Sequence, residues 1–190
     1  MEGFNLWQCI LKGVDSVDLV RVGEKLIDKE RIYRIVDRIL ELRCAGESQQ
    51  EVGDHLGIDR TFISRLETLG EVRRGKRIAL VAFPVENKQE LMEAAKRAGI
   101  EYVLLFTDEE RWAFVKNRSG IELFNEVMQI IIKLGQFDAV IFAGSDFRVK
   151  LAETILGNKV IGITLGHSPI KGDRRIDPAK LEEIVDQLKF

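Results

Sequence analysis

Hydrophobic positions in the first seventy residues recur at helical spacing. Between residues 29 and 43, Ile32, Ile35, Val36, Ile39, Leu40 and Leu42 line one helical face, and Gly46 marks its end. Val52, Leu56, Ile58, Ile63 and Leu66 follow at spacings that bring two short helices together along a shared seam. Ahead of Lys29 the pattern is less legible. Val17, Val20, Leu26 and Ile27 fit an amphipathic helix over 14–27, so residues 1–28 are expected to form a helical arm that either dimerises or packs on the rest of the chain.

Beyond Gly75 the periodicity changes. Apolar, β-branched runs at 77–83, 102–107, 139–143 and 160–164 predict buried strands, and amphipathic stretches at 87–98, 121–134, 146–156 and 178–188 predict helices between and after them. Pro84 stops the first strand and Gly99 the first of these helices. Residues 108–118, with Trp112-Ala113-Phe114-Val115, fit an extra strand or a helical turn equally. Continuous apolar strands alternating with helices imply a parallel sheet covered on both faces.

The local chemistry between the two short helices is more specific than their periodicity. Ser48 followed by Glu51 reads as a capping box, Gly53 stands at a close helix approach, Gly57 suits a left-handed helix end, and Asp59 is placed to cap a helix at Arg60. This is a helix-turn-helix pattern. The expected fold is therefore α/β with two domains: an N-terminal all-α tri-helical helix-turn-helix domain, then a C-terminal Rossmann-like parallel α/β sandwich. Expected boundaries are 1–28 for the arm, 29–70 for the DNA-binding domain, 71–76 for a linker and 77–190 for an α/β dimerisation or effector domain.

Residues 48–67 resemble the Cro and lambda-repressor family through Ser48, Gln49, Gly53, Gly57 and Ile63-Ser64-Arg65-Leu66-Glu67. Family members commonly continue with two more helices, whereas here Gly70, Gly75 and a strand-like run follow, so a minimal three-helix version is expected. The resemblance implies double-stranded DNA as partner, with the helix beginning at Arg60 in the major groove. On that reading Arg60 and Thr61 face base edges, Phe62 presses on a thymine methyl, and Ser64 and Arg65 lie along the groove or backbone. Gln49 meets phosphate or reaches toward Arg60, and Arg73, Arg74 and Lys76 add attraction that is independent of sequence. A single small reader buries little DNA, so a homodimer on two half-sites is expected, joined through the α/β domain.

Composition adjusts this picture modestly. The net charge is −2, so attraction to phosphate must be local, and residues 60–77 supply it with six basic residues against Glu67 and Glu71. Cys9 and Cys44 lack paired spacing, which argues against a disulfide framework or zinc site and for two small buried hydrophobes; no metal is expected. No apolar run nears the length of a bilayer span and no leader opens the chain, so no membrane partner and a cytoplasmic location are expected.

In open parallel sheets small ligands bind beyond the carboxyl ends of the strands. That rule nominates Glu86, Asn87, Gly144, Ser145, Asp146, Gly166, His167 and Ser168 as candidate effector-binding residues. Ser145 and Asp146 equally suit ordinary helix capping. His167 beside Ser168 raises nucleophilic catalysis, but no acidic orienter or nucleophile elbow accompanies it in sequence. Neither a phosphate loop nor a Gly-x-Gly-x-x-Gly follows the first strand, which ends in Phe83-Pro84 instead of the acidic cluster of a receiver domain. The expectation is a non-enzymatic, cofactor-free transcriptional regulator that binds specific DNA and has room for small-molecule sensing. Its rivals are a DNA-acting enzyme such as a recombinase, for which a Tyr-x-Arg-Val-Ser segment is missing, and a scaffold whose helix-turn-helix binds protein.

Overall fold

The computed structural model describes residues 18–189. Contacts divide the chain into two compact units, one ending at Gly70 and the other beginning at Glu71. The first opens with an antiparallel hairpin of β1 (Leu19–Val22) and β2 (Lys25–Asp28), turned at Gly23 with φ 60°. This corrects the expected helical arm over its described part; residues 1–17 lie outside the described residues. The turn wins because glycine at positive φ closes a two-residue hairpin between short runs rich in β-branched side chains. Leu19, Val20, Val22 and Leu26 all stay exposed, so there was no buried stripe for helical periodicity to report.

Three helices complete this unit: α1 (Lys29–Cys44), α2 (Gln49–Leu56) and α3 (Arg60–Gly70). The Asp28 side chain caps α1 by accepting from the Arg31 N–H. Ile39, Leu42, Val52 and Ile63 form the buried core, with Leu56, Ile58 and Leu66 packed round it, so all five seam positions converge. Each fully buried aliphatic side chain contributes about 1.5–3 kcal/mol. The apolar face expected on α1 is only partly covered, because Ile32, Ile35 and Leu40 remain exposed while Ile39 and Leu42 are buried. Cys44, expected inside, is exposed at the last residue of α1; Cys9 lies outside the described residues.

The second unit is α/β. In chain order it holds β3 (Ile78–Ala82), α4 (Lys88–Ala98), β4 (Tyr102–Leu105), α5 (Asp108–Lys116), α6 (Gly120–Gly135), β5 (Ala139–Ser145), α7 (Asp146–Leu156), β6 (Val160–Gly166) and α8 (Pro178–Lys189). The sheet is parallel throughout, in the order β4-β3-β5-β6. Strand alternation separates two cores. Ile78, Leu80 and Ala82 face α4 and α8, whose Leu91, Ala94, Leu181 and Val185 are buried. Ala79, Val81, Val140 and Phe142 face the other side, with Leu134 of α6 and Val149 and Ala152 of α7. The ambiguous segment 108–118 is helical, started by a capping box in which Thr107 accepts from the Glu110 N–H and the Glu110 carboxylate accepts from the Thr107 N–H.

The expected linker at 71–76 is tied to the second unit. The Arg73 N–H donates to the Asn158 carbonyl at 2.8 Å and the Gly75 N–H to the Leu188 carbonyl at 3.3 Å. Among the described residues no helix is long and apolar enough to cross a membrane.

Candidate nucleic-acid interface

The geometry of α2, its turn and α3 follows from four polar or small residues. Ser48 Oγ accepts from the Glu51 N–H at 3.2 Å while the Glu51 carboxylate accepts from the Ser48 N–H at 2.7 Å, which satisfies orphan donors at the start of α2. Those bonds hold the Glu51 carboxyl below its ordinary range. Gly57 ends α2 in the left-handed region at φ 65°. Gly53 faces the turn: a Cβ there would stand 2.7 Å from the Ile58 carbonyl oxygen. The close approach inferred at Gly53 is thus to the turn backbone rather than to the body of α3. Asp59 then accepts from the Thr61 N–H at 2.6 Å and opens α3.

Glu67 locks the three helices to one another. Its carboxylate accepts from Arg43 Nε of α1 at 2.6 Å and from Gln49 Nε2 of α2 at 2.7 Å. The Arg43 guanidinium first and the Gln49 amide second hold Glu67 below the usual carboxylate range. Gln49, expected at phosphate, therefore spends a donor inside the unit and buttresses the start of α2.

On α3, Arg60, Thr61 and Arg65 are exposed and Ser64 is half-buried. At about 100° per residue these four share one arc of the helix, and Phe62, 47% exposed, points well outside it. The structure thus gathers Arg60, Thr61, Ser64 and Arg65 and sets Phe62 apart. Arg60 has no hydrogen-bond or ion-pair partner among the described residues. Arg73, Arg74 and Lys76 are exposed but belong to the second unit.

Sequence reading missed a second basic feature. Arg31, Arg34 and Arg38, at i, i+3 and i+7 on α1, border a cleft of about 250 Å³ with Ile35, Leu56 and Ile58. Arg38 pairs with Glu41 at 3.0 Å and Arg34 lies 4.0 Å from Asp28. The spacing is visible in the sequence, but Leu56 and Ile58, which complete the cleft, come from a segment more than fifteen positions further on.

At the carboxyl ends of the parallel strands the nominated residues separate into two groups. Asn87 is buried and fully committed: Nδ2 donates to Glu90 and to the Ile176 carbonyl, and Oδ1 accepts from the Ile176 N–H. Ser145 is buried and caps α7, accepting from the Arg148 N–H, and Gly144 lies against the Phe142 ring. Glu86, Asp146, His167 and Ser168 are exposed, and Gly166 ends β6 half-buried.

The expectation that His167 lacks an acidic partner is corrected. His167 Nδ1 lies 2.9 Å from Asp146 Oδ2, and Asp146 Oδ1 accepts from the Ser168 N–H at 2.9 Å and the Phe147 N–H at 2.7 Å. The His167 bond is the largest cause, ahead of the Phe147 and Ser168 amides, holding the Asp146 carboxyl below its ordinary range. β5 and β6 are paired with Ser145 opposite Gly166, which brings their successors together. No hydroxyl hydrogen bond reaches the other ring nitrogen among the described residues, so the pair staples the start of α7 to the loop after β6 without forming a nucleophilic triad there. Among the described residues no group of three or more histidine, cysteine, aspartate or glutamate side chains is placed to hold a metal ion.

Comparison with protein-family models, with curated proteins and with solved structures finds no match for the chain.

Proposed function

We propose that this chain is a sequence-specific DNA-binding transcription regulator acting as a homodimer. On this reading α2 and α3 form a helix-turn-helix, and the doubly wound, Rossmann-like α/β unit joins two copies and offers the exposed loops at its strand ends to a small effector. The observation that carries it is the arc of exposed Arg60, Thr61 and Arg65 with half-buried Ser64 at the opening of α3, presented by the Gly57 turn and the Asp59 cap with Arg60 unpaired. Such an arc supplies donors at the spacing that major-groove reading uses. Arg31, Arg34 and Arg38 fit a supporting role as phosphate contacts in the same unit.

The test is selection of bound sequences from random duplexes, followed by fluorescence anisotropy on the enriched sequence across a salt series. Enrichment of a defined motif is expected, with log affinity falling by about 0.9 per phosphate contact for each tenfold rise in salt. Duplex binding that is absent, or that ignores salt, ends the reading in favour of a protein-binding scaffold.

A further inference from the structure

Helix α6 is apolar round an unusually wide arc. At about 100° per residue its polar side chains, Glu122, Asn125, Glu126, Gln129 and Lys133, occupy about 100° of its circumference, and apolar ones fill an arc of about 200°. A helix on the surface of a globular domain normally presents an apolar stripe little more than half as wide, and one apolar beyond that is buried on a second side. Half of the α6 arc, with Leu123, Val127, Ile130 and Leu134, lines a crevice of about 470 Å³ between α5, α6, α7 and the sheet. The other half, Ile121, Phe124, Met128 and Ile132, is open at 77%, 64%, 40% and 62% exposure.

The neighbouring helices extend the patch. Phe147, Leu151 and Ile155 recur at every fourth residue of α7 and are 60%, 41% and 49% exposed, and Trp112 and Val115 of α5 are 50% and 41% exposed. Leu151, Ile155 and Val115 line the same crevice as α6, so the stripes meet round its mouth.

We infer that this α5-α6-α7 face is where two copies of the chain meet, each covering the other's α6 stripe and crevice. The inference rests on the homodimer reading above and gives it a surface. Taking roughly 150–250 Å² for an aromatic side chain and somewhat less for an aliphatic one, these half-exposed residues amount to on the order of 800 Å². That exceeds the roughly 300–600 Å² of the largest apolar patch on a typical monomer. It matches the about 800 Å² per partner of a standard interface. Charge also favours a second copy over a lipid surface. The three helices carry seven acidic and five basic residues, Arg111 and Arg148 at the crevice among them, so the face lacks the excess of lysine and arginine that a bilayer-binding face carries.

Sedimentation velocity on the full chain across a micromolar dilution series tests this, with Phe124→Glu/Ile132→Glu as the disrupting variant and Leu40→Glu, on the exposed side of α1, as its counterpart. Both sets of positions are already exposed, and circular dichroism melts verify the fold. The wild type and Leu40→Glu are expected to be dimers, and the double variant a monomer with dimerisation weakened at least 100-fold. The inference is overturned by a wild-type monomer, whether native mass spectrometry shows a co-purified apolar ligand on it or protease protection shows residues 1–17 covering the patch. It is equally overturned by a dimer that the double variant leaves intact or that Leu40→Glu breaks instead. Salt-dependent binding to a single half-site duplex, measured on the same samples, separates this result from the fate of the DNA-binding reading.

Discussion

Arg60 stands at the first residue of α3 with its guanidinium unpaired, so a base contact costs no internal ion pair. Arg60→Ala is expected to weaken binding to the selected sequence by about 1–3 kcal/mol and to relax preference at one position, as read by anisotropy on single-base variants. Unchanged affinity on the preferred sequence would remove Arg60 from base reading. Asp146 carries a prediction of another kind. Its carboxyl is held below the ordinary aspartate range, first by His167 and then by the amides of Phe147 and Ser168. A depressed folded value means that the stabilisation is present above the unfolded value, about 3.9, and disappears as pH falls through the folded one. In a carbon-detected NMR titration Asp146 should therefore titrate below about 3.9, and the Ser168 amide should lose hydrogen-exchange protection only in that acid window. A midpoint at or above the ordinary value would show that the staple does not persist in solution. The sequence placed both residues at strand ends but not in contact, because 21 positions separate them and only the parallel register of β5 and β6 joins them.

At the scale of elements, legibility followed the existence of a buried stripe. The helices of the α/β unit other than α5 and the α2–α3 seam were readable because one face of each meets a core. The hairpin at 19–28 buries no apolar face of its own, so the spacing of Val20, Leu26 and Ile27 imitated a helix. Helix α5 was obscured by the consecutive apolar residues 112–115, although Thr107 and Glu110 already spelled its capping box. The turn between α2 and α3 permits a direct test of the packing. A side chain at Gly53 meets backbone at Ile58, which cannot rotate away, whereas nothing lies within 4 Å of a Cβ built on Gly70. Gly53→Val is expected to destabilise the first unit by about 1–3 kcal/mol through overpacking. Gly70→Ala should be neutral or stabilise α3 by up to about 1 kcal/mol. Thermal melts of the two variants followed by helical circular dichroism would decide; equal melting behaviour would mean that the turn gives way and that Gly53 is not what sets it.

For the molecule as a whole, the consequence of two copies on the proposed reading is affinity. One small reader buries only about 600–1,000 Å² on DNA, which leaves little beyond the contacts of a single half-site. Joining two readers through their α/β units makes the second contact intramolecular, at an effective concentration near millimolar when the connection can span both sites. Dimerisation should therefore raise affinity for a duplex with two half-sites by about 10²–10⁴ without adding any protein–DNA contact. The Phe124→Glu/Ile132→Glu variant, whose substitutions lie in the second unit, should lose that factor on the two-site duplex and keep wild-type affinity for the single site. Anisotropy on both duplexes at one salt concentration measures the ratio directly. Loss on both would place α6 in the DNA contact itself. Loss on neither would mean that the two readers are coupled through another surface, with the exposed residues of the hairpin and α1 as the place to look next.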